Sequence, residues 1–145
     1  MIELPIRSLG RSQQRRVQGD EFDSLAESLV AEEYGLSEFN DAEWYDCVLK
    51  STGAKYEVKS TSSRIRSGPG RFRLWEQQHR SMTAAEGQNA AWYAFVLLDT
   101  DDGVIRIQRR RPSTVTGIIN DRGGWNRSGH QSKGRQHKLP IGEVF

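Results

Sequence analysis

The residues of this chain whose types and spacing suggest chemistry are two acids and a lysine: Asp46, Glu57 and Lys59. They lie in two segments, 44–49 and 54–59, whose aromatic and β-branched residues favour β-strands. The Ser-Thr-Gly sequence between the segments has the composition of a turn. The sequence therefore predicts a β-hairpin that carries all three charged residues.

The register of this hairpin brings the two acids together. With the turn centred on the Ser-Thr pair, Leu49 faces Ala54 and Asp46 faces Glu57. Directly opposed residues in an antiparallel pair have Cβ atoms about 4.5–5.5 Å apart, so the two carboxylates repel unless a cation lies between them. A divalent cation bound by oxygen ligands meets that need. Because side chains alternate along a strand, Lys59 lies on the same face as Glu57, beside this predicted metal site.

Asp46, followed after ten residues by Glu57, Val58 and Lys59, resembles the motif of the PD-(D/E)xK nuclease superfamily. That superfamily includes restriction enzymes, Holliday junction resolvases and DNA repair nucleases. Tyr45 stands where the motif has its Pro. The resemblance extends over residues 19–98 and implies an α/β fold. The implied fold is an αβββαβ restriction-endonuclease-like core, a mixed central sheet flanked by helices. The sequence beyond this core predicts an appended strand and a basic C-terminal segment.

The resemblance also implies a reaction, the metal-dependent hydrolysis of a DNA phosphodiester bond. Asp46, Glu57 and the backbone carbonyl of Val58 would hold Mg²⁺ or Mn²⁺, which lowers the pKa of a bound water and neutralises charge on the phosphate. Lys59 would orient or deprotonate the nucleophile, or stabilise the transition state. A base role requires surroundings that depress the pKa of the lysine. One-metal and two-metal mechanisms are both open at this point.

The implied partner is DNA, and branched DNA in particular, because the resolvases of the superfamily act on it as homodimers. The alternative function is a catalytically inactive nucleic-acid-binding module of the same fold, for which basic residues alone suffice. A structural or protein-interaction domain is the third hypothesis.

A first helix is predicted over residues 20–35, with Asp20 as its N-cap and Gly35 as its stop. Its apolar stripe is Phe22, Leu25, Ala26, Leu29 and Val30. Asp23 and Glu27 lie one turn apart along a border of that stripe. In the resembled family an acid of the first helix often helps to bind the metal, so either Asp23 or Glu27 is a candidate ligand. The alternative is a pair of solvated surface acids.

A second helix is predicted over residues 74–85. Leu74, Gln78 and Met82 share one of its faces, so Gln78 points inward. In the resembled family a Gln on this helix often lies near the site, which makes Gln78 a catalytic candidate that positions a water or a phosphate oxygen. The alternative is a glutamine satisfied by local backbone. His79 is predicted to be structural rather than a general base.

The remaining elements are predicted from apolar runs and turn residues. Residues 90–99 form the most apolar run and predict a buried central strand, followed by a turn at 100–103 and a strand at 104–108. A short helix is predicted to begin at Pro112. The apolar residues within 139–145 are expected to dock on the core.

Two basic segments are candidates for contact with nucleic acid. Segment 64–73 combines four arginines with a Gly-Pro-Gly sequence and suits a flexible loop along a phosphate backbone. Segment 117–145 interleaves cations with Trp125 and suits a grip on a duplex or an RNA fold. A solvated loop and a solvated tail are the alternatives. The candidate contact residues are Arg64, Arg66, Arg71, Arg73, Arg127, Lys133, Arg135 and Lys138.

Length and charge bound the class of protein. A chain of 145 residues predicts one domain, with residues 1–19 as a polar N-terminal arm that either orders on a partner or frays. The net charge is only +2, but residues 20–46 contain ten acids and no Lys or Arg. Residues 106–138 contain nine Lys or Arg and one acid. This asymmetry predicts one side that faces a polyanion and one solvated acidic side.

The single cysteine, Cys47, predicts no internal disulfide and a reducing, cytoplasmic location. It lies on the strand face opposite Asp46, which predicts a core position. No apolar run approaches the length of a membrane span, and the N-terminus lacks the apolar core of a signal peptide. The sequence therefore predicts no membrane partner.

Overall fold

The central element of the fold is a mixed six-stranded sheet in a computed structural model that describes residues 1–39, 44–66, 68–129 and 134–145. The strands are β1 (Ile2–Pro5), β2 (Ser37–Glu38), β3 (Cys47–Leu49), β4 (Ala54–Ser62), β5 (Arg71–Trp75), β6 (Ala91–Asp99), β7 (Val104–Arg110), β8 (Asn126–Arg127) and β9 (Arg135–Pro140). The helices are α1 (Arg11–Arg16), α2 (Phe22–Tyr34), α3 (Glu76–Gln88) and α4 (Pro112–Asp121). Short 3-10 helices, Ile6–Ser8 and Ile141–Glu143, follow β1 and β9.

The strand order of the main sheet is β1-β7-β6-β4-β3-β2, and only the β4–β6 pair among these strands is parallel. A second, smaller sheet has the order β5-β9-β8 and is antiparallel. The sequence α2, β2, β3, β4, α3, β6 is the predicted αβββαβ core. Strands β7 and β1 extend the main sheet beyond β6, where one appended strand was expected.

The predicted hairpin is confirmed in its register, since Leu49 pairs with Ala54 in β3 and β4. Continuing the register by one step beyond Cys47 places Asp46 opposite Glu57. The first strand is shorter than expected, and the second continues to Ser62. Cys47 is fully buried, as its place opposite Asp46 predicts.

Two hydrophobic cores cover the two faces of the main sheet, and alternate residues of β6 enter different cores. Ala94, Val96 and Leu98 pack against the apolar stripe of α2, which is buried as predicted. Tyr93 and Phe95 pack on the other face, against side chains of α3, α4, β5 and β9. This alternation is the two-residue period of a strand buried on both sides.

Residues 71–75 form a strand, where the sequence predicted the end of a flexible loop and the start of a helix. The predicted second helix starts at Glu76 instead of Leu74, and Leu74 belongs to strand β5. The Arg-Phe-Arg-Leu-Trp sequence alternates with period two, with Phe72 and Leu74 buried. The partner of β5 is β9, about 60 residues further along the chain, so no neighbouring segment reveals the pairing.

Three smaller expectations can now be compared with the structure. The acidic segment after α2, expected to be a loop, contains strand β2 (Ser37–Glu38), which pairs with β3. The N-terminal arm pairs within the chain, because β1 adds to β7 and buries its apolar residues against the α2 core. Leu139 and Val144 are buried, so the C-terminus docks as expected.

In the described part of the chain, no helix combines the length and the apolar character needed to cross a membrane.

Candidate active site

Strand β4 carries two of the candidate residues into one pocket. Glu57 is only 5% exposed, and its partner in the parallel ladder is Tyr93 of β6. Lys59 follows two positions later, on the same face of the strand, and is half-buried. The alternation of β4 therefore places the acid and the amine side by side, as the sequence predicts.

Asp46 lies just before β3, and its side chain hydrogen-bonds to the backbone of the neighbouring strand β4. The carboxylate oxygen Oδ2 of Asp46 accepts a hydrogen bond of 2.8 Å from the backbone N–H of Val58. The N–H and C=O of a strand residue point towards the same neighbour. The carbonyl of Val58 therefore faces the same edge as Asp46, on the side where the resemblance places a metal ligand.

Gln78 of α3 joins the acid to the amine. Its Oε1 accepts a hydrogen bond of 2.8 Å from Nζ of Lys59. Its Nε2 donates to Oε2 of Glu57 and, at 3.4 Å, to the carbonyl of Trp44. Both polar atoms of the amide are thus engaged by site residues. The inward orientation predicted for Gln78 is observed, and its contacts fit the positioning of Lys59 and Glu57 better than the positioning of a water.

The two acids of the first helix have different neighbours. Oδ1 of Asp23 accepts a hydrogen bond of 2.5 Å from Oγ of Ser60, and Asp23 is exposed. Glu27 is half-buried and lies within hydrogen-bonding distance of the Asp46 carboxyl group. The structure therefore brings Glu27, rather than Asp23, next to Asp46.

The carboxyl groups of Glu27 and Glu57 hold protons more tightly than usual. Burial raises the pKa of Glu27 to about 7, and the negative charge of Asp46 and a hydrogen bond to it add to the shift. Burial and a hydrogen bond to Asp46 raise the pKa of Glu57 well above its ordinary value, although Lys59 acts in the opposite direction. Crowded acids in a dry place favour the neutral form until a cation compensates their charge.

These groups line a pocket of about 230 Å³. Its walls are formed by Asp23, Glu27, Asp46, Glu57, Val58, Lys59, Ser60 and Arg73. Carboxylate and carbonyl oxygens are the ligands that Mg²⁺ and Mn²⁺ prefer, so the donor set fits a hard divalent cation. Within the described residues, no group of three or more His, Cys, Asp or Glu side chains is already arranged to hold a metal ion. Burial and crowding raise the pKa values of Glu27 and Glu57, so binding of a cation favours the release of their protons.

The sequence did not predict Ser60 as a site residue, and it predicted Arg73 as a nucleic-acid contact without placing it in this pocket. Ser60 follows Lys59 in β4, so its side chain lies on the opposite face of the strand, next to α2. A predicted strand that continued beyond Lys59 would have placed it there. Arg73 was expected to lie on a flexible loop. It reaches the pocket because β5 lies beside β4, a contact between segments that no local pattern encodes.

The candidate nucleic-acid contacts fall into separate groups. Arg71, Arg73, Arg127 and Lys138 lie on the strands of the small sheet, and Arg66 is exposed outside it. Arg64 forms an ion pair of 3.4 Å with Asp101. Arg135 makes two hydrogen bonds to Glu76, at the first turn of α3. Lys133 lies outside the described residues.

His79 belongs to a separate polar cluster on the far side of α3. Thr116 donates its hydroxyl proton to the carbonyl of Pro112 at 3.0 Å, so it accepts from Nε2–H of His79 at 2.7 Å. Nδ1 of His79 then accepts from the Tyr93 hydroxyl at 2.8 Å. Burial lowers the pKa of His79 to about 4, which keeps the ring neutral. These contacts agree with the structural role predicted for this histidine.

A comparison with protein-family models matches residues 12–145 to the PD-(D/E)XK nuclease superfamily domain. The chain belongs to this superfamily. The match extends well beyond residues 19–98, and it includes the C-terminal segment with β8 and β9. The comparison with curated proteins gave no match.

Proposed function

We propose that this protein is a metal-dependent endonuclease that hydrolyses phosphodiester bonds in DNA. The observation that supports the proposal most is the convergence of Glu27, Asp46 and Glu57 in one pocket with an ammonium group held beside them. Membership of a nuclease superfamily supplies the reaction class. Branched DNA as the preferred substrate and a homodimer as the assembly are the finer parts of the proposal.

The acidic residues are assigned to metal binding. Asp46, Glu57 and the carbonyl of Val58 would hold Mg²⁺ or Mn²⁺, with Glu27 next to Asp46 as a further ligand or as a base for a bound water. A divalent cation supplies Lewis-acid activation of water and neutralises charge on the scissile phosphate. Burial of Glu57 excludes bulk water from this side of the pocket, which strengthens the electrostatic interactions within it.

Lys59 is assigned to the phosphate and the nucleophile. Its Nζ is held by Oε1 of Gln78, and the residue lines the pocket beside the acids. A fixed ammonium group in that place orients the attacking water and offsets the negative charge that develops on phosphate oxygens. Gln78 is a positioning residue that acts through Lys59 and Glu57.

The test is a cleavage assay on linear duplex, single-stranded and four-way-junction DNA with Mg²⁺, Mn²⁺ or EDTA. The parent is compared with Glu57→Gln and Lys59→Ala, and with the exposed controls Glu33→Gln and Lys50→Ala. Removing a group that stabilises charge in the transition state typically costs about 10²–10³ in rate, and we expect at least this for both site variants. The controls should cleave like the parent.

Cleavage that persists in EDTA, or site variants as active as the controls, would contradict the proposal. Binding of DNA without cleavage under any metal would instead favour the inactive binding module. Cleavage of the four-way junction tests the preference for a branched substrate, and a measurement of mass in solution tests the homodimer. Both tests are separate from the test of the chemistry.

A further inference from the structure

The small sheet β5-β9-β8 has one apolar face and one basic face. Its inner side chains include Phe72 and Leu74 of β5 and Leu139 of β9, which are all fully buried in the second core. Because side chains alternate along a strand, the intervening residues point away from the core. The outward residues are Arg71, Arg73 and Trp75 on β5, Gln136, Lys138 and Pro140 on β9, and Asn126 on β8.

The outward face carries cations that nothing on the sheet neutralises. These seven outward positions include three basic residues and no acid. Arg73 and Lys138 are direct partners in the β5–β9 ladder. Like charges directly opposite one another destabilise a sheet. Within the described residues, neither of them forms a salt bridge, although the Arg73 guanidinium lies over the Trp75 ring at 5.8 Å.

Arg73 connects this face to the candidate active site, because it also lines the pocket of Glu57 and Lys59. A backbone that passes over Lys138 and Arg73 therefore arrives at the catalytic groups. Phosphate contacts from Arg and Lys fix the position and register of a nucleic acid without reading its sequence.

We propose that the outward face of the β5-β9-β8 sheet is the docking surface for the DNA backbone next to the scissile phosphate. The occupant is a run of phosphates on one strand of a duplex, matched by charge to Arg71, Arg73 and Lys138. This inference rests on the proposed nuclease function and adds where the substrate lies. It also separates these three residues from Arg135, which is already held by two hydrogen bonds to Glu76.

The test is DNA binding by Glu57→Gln protein in Mg²⁺, a background that keeps the duplex uncut. Into it we place Arg73→Gln with Lys138→Gln, and separately Arg11→Gln with Arg15→Gln on α1. Both pairs remove two positive charges, and the α1 pair is exposed and lies on an element that packs on α2, away from the small sheet. Dissociation constants for a linear duplex are measured at several salt concentrations.

We expect the sheet pair to weaken binding by about 10-fold or more at low salt and to reduce the slope of log K against log salt by about 2, one for each lost phosphate contact. The α1 pair should change affinity less than 3-fold and leave the slope as it is. The melting temperature of the sheet pair should equal or exceed that of the parent, because a repulsion is removed. Lys138→Gln alone gives a milder change, with a slope reduced by about 1.

Equal affinities and slopes for the sheet pair and the α1 pair would overturn the inference, and so would an unchanged slope for a folded Lys138→Gln. Those results leave the nuclease function standing if the parent cleaves DNA in Mg²⁺. A parent that neither binds nor cleaves any DNA overturns both.

Discussion

Neighbouring residues of helix α3, Gln78 and His79, point into two buried polar clusters that differ in how well their groups are satisfied. The His79 cluster is neutral, and each ring nitrogen has one hydroxyl partner, on Tyr93 or on Thr116. The Gln78 cluster holds crowded carboxyl groups with raised pKa values and an ammonium group.

The difference separates a polar cluster that stabilises the fold from one that is suited to chemistry. A neutral, satisfied network contributes stability and specifies one packing arrangement. A group of acids that repel one another weakens the fold, is compensated only in part by Lys59, and is stabilised further by a bound cation. The same helix therefore joins a structural cluster to a functional one, and substitutions on the two sides should have opposite effects.

The largest effect should come from Glu57→Gln. Activity should fall by about 10³-fold, because a ligand for the metal is lost. Stability should not fall at pH 8, since the charged form of this buried acid is disfavoured in the folded state. The measurements are the cleavage rate and urea unfolding. A loss of several kcal/mol in the free energy of unfolding would mean that Glu57 is structural.

His79→Leu should show the reverse pattern. The buried hydroxyl of Tyr93 and the half-buried hydroxyl of Thr116 each lose a partner, which should lower the free energy of unfolding by about 3 kcal/mol. The metal-dependent cleavage rate per folded molecule should change much less than for Glu57→Gln. Tyr93→Phe, which removes a single hydrogen bond, is the matched control and should cost about 1 kcal/mol. If the His79 variant were fully stable but inactive, the two clusters would have been assigned to the wrong roles.

Gln78→Leu lies between these cases. It should lower kcat by about 10- to 30-fold, because Lys59 and Glu57 lose the amide that positions them. KM should be nearly unchanged if the residue acts through its neighbours. The neighbouring exposed residue gives the control variant, Gln77→Leu. An effect on KM alone would show that Gln78 contacts the substrate directly.

The smallest effect concerns pH. The pKa of His79 is about 4 in the folded protein against an ordinary value of 6.5, so between these values the unfolded chain binds more protons. The stabilising contribution is complete above pH 6.5 and is lost as the pH falls towards 4. The stability difference between the parent and His79→Leu should therefore shrink by about 1 kcal/mol at pH 5.5. A pH-independent difference in urea unfolding would contradict the buried neutral ring.

The sequence predicted those parts of the site that depend on neighbouring residues. A turn and the alternation of side chains were enough to pair Leu49 with Ala54, and the apolar stripe of α2 was evident from its period. The start of α3 was misplaced, because residues 71–75 form a strand only through the distant β9. Asp23 and Glu27 could not be separated from the sequence, since the angle at which α2 crosses the hairpin determines which acid meets Asp46.

The local sequence thus determined the hairpin and the placement of two acids and a lysine on it, because turn chemistry and strand periodicity act over a few residues. Only the tertiary structure decided that Gln78 bridges Lys59 and Glu57, that Arg73 borders the pocket, and that Arg135 is held by Glu76. The contacts of Gln78 with Lys59 and Glu57 and of Arg135 with Glu76 join residues 19, 21 and 59 positions apart. Their formation depends on how the sheets and helices pack, which no local sequence pattern records.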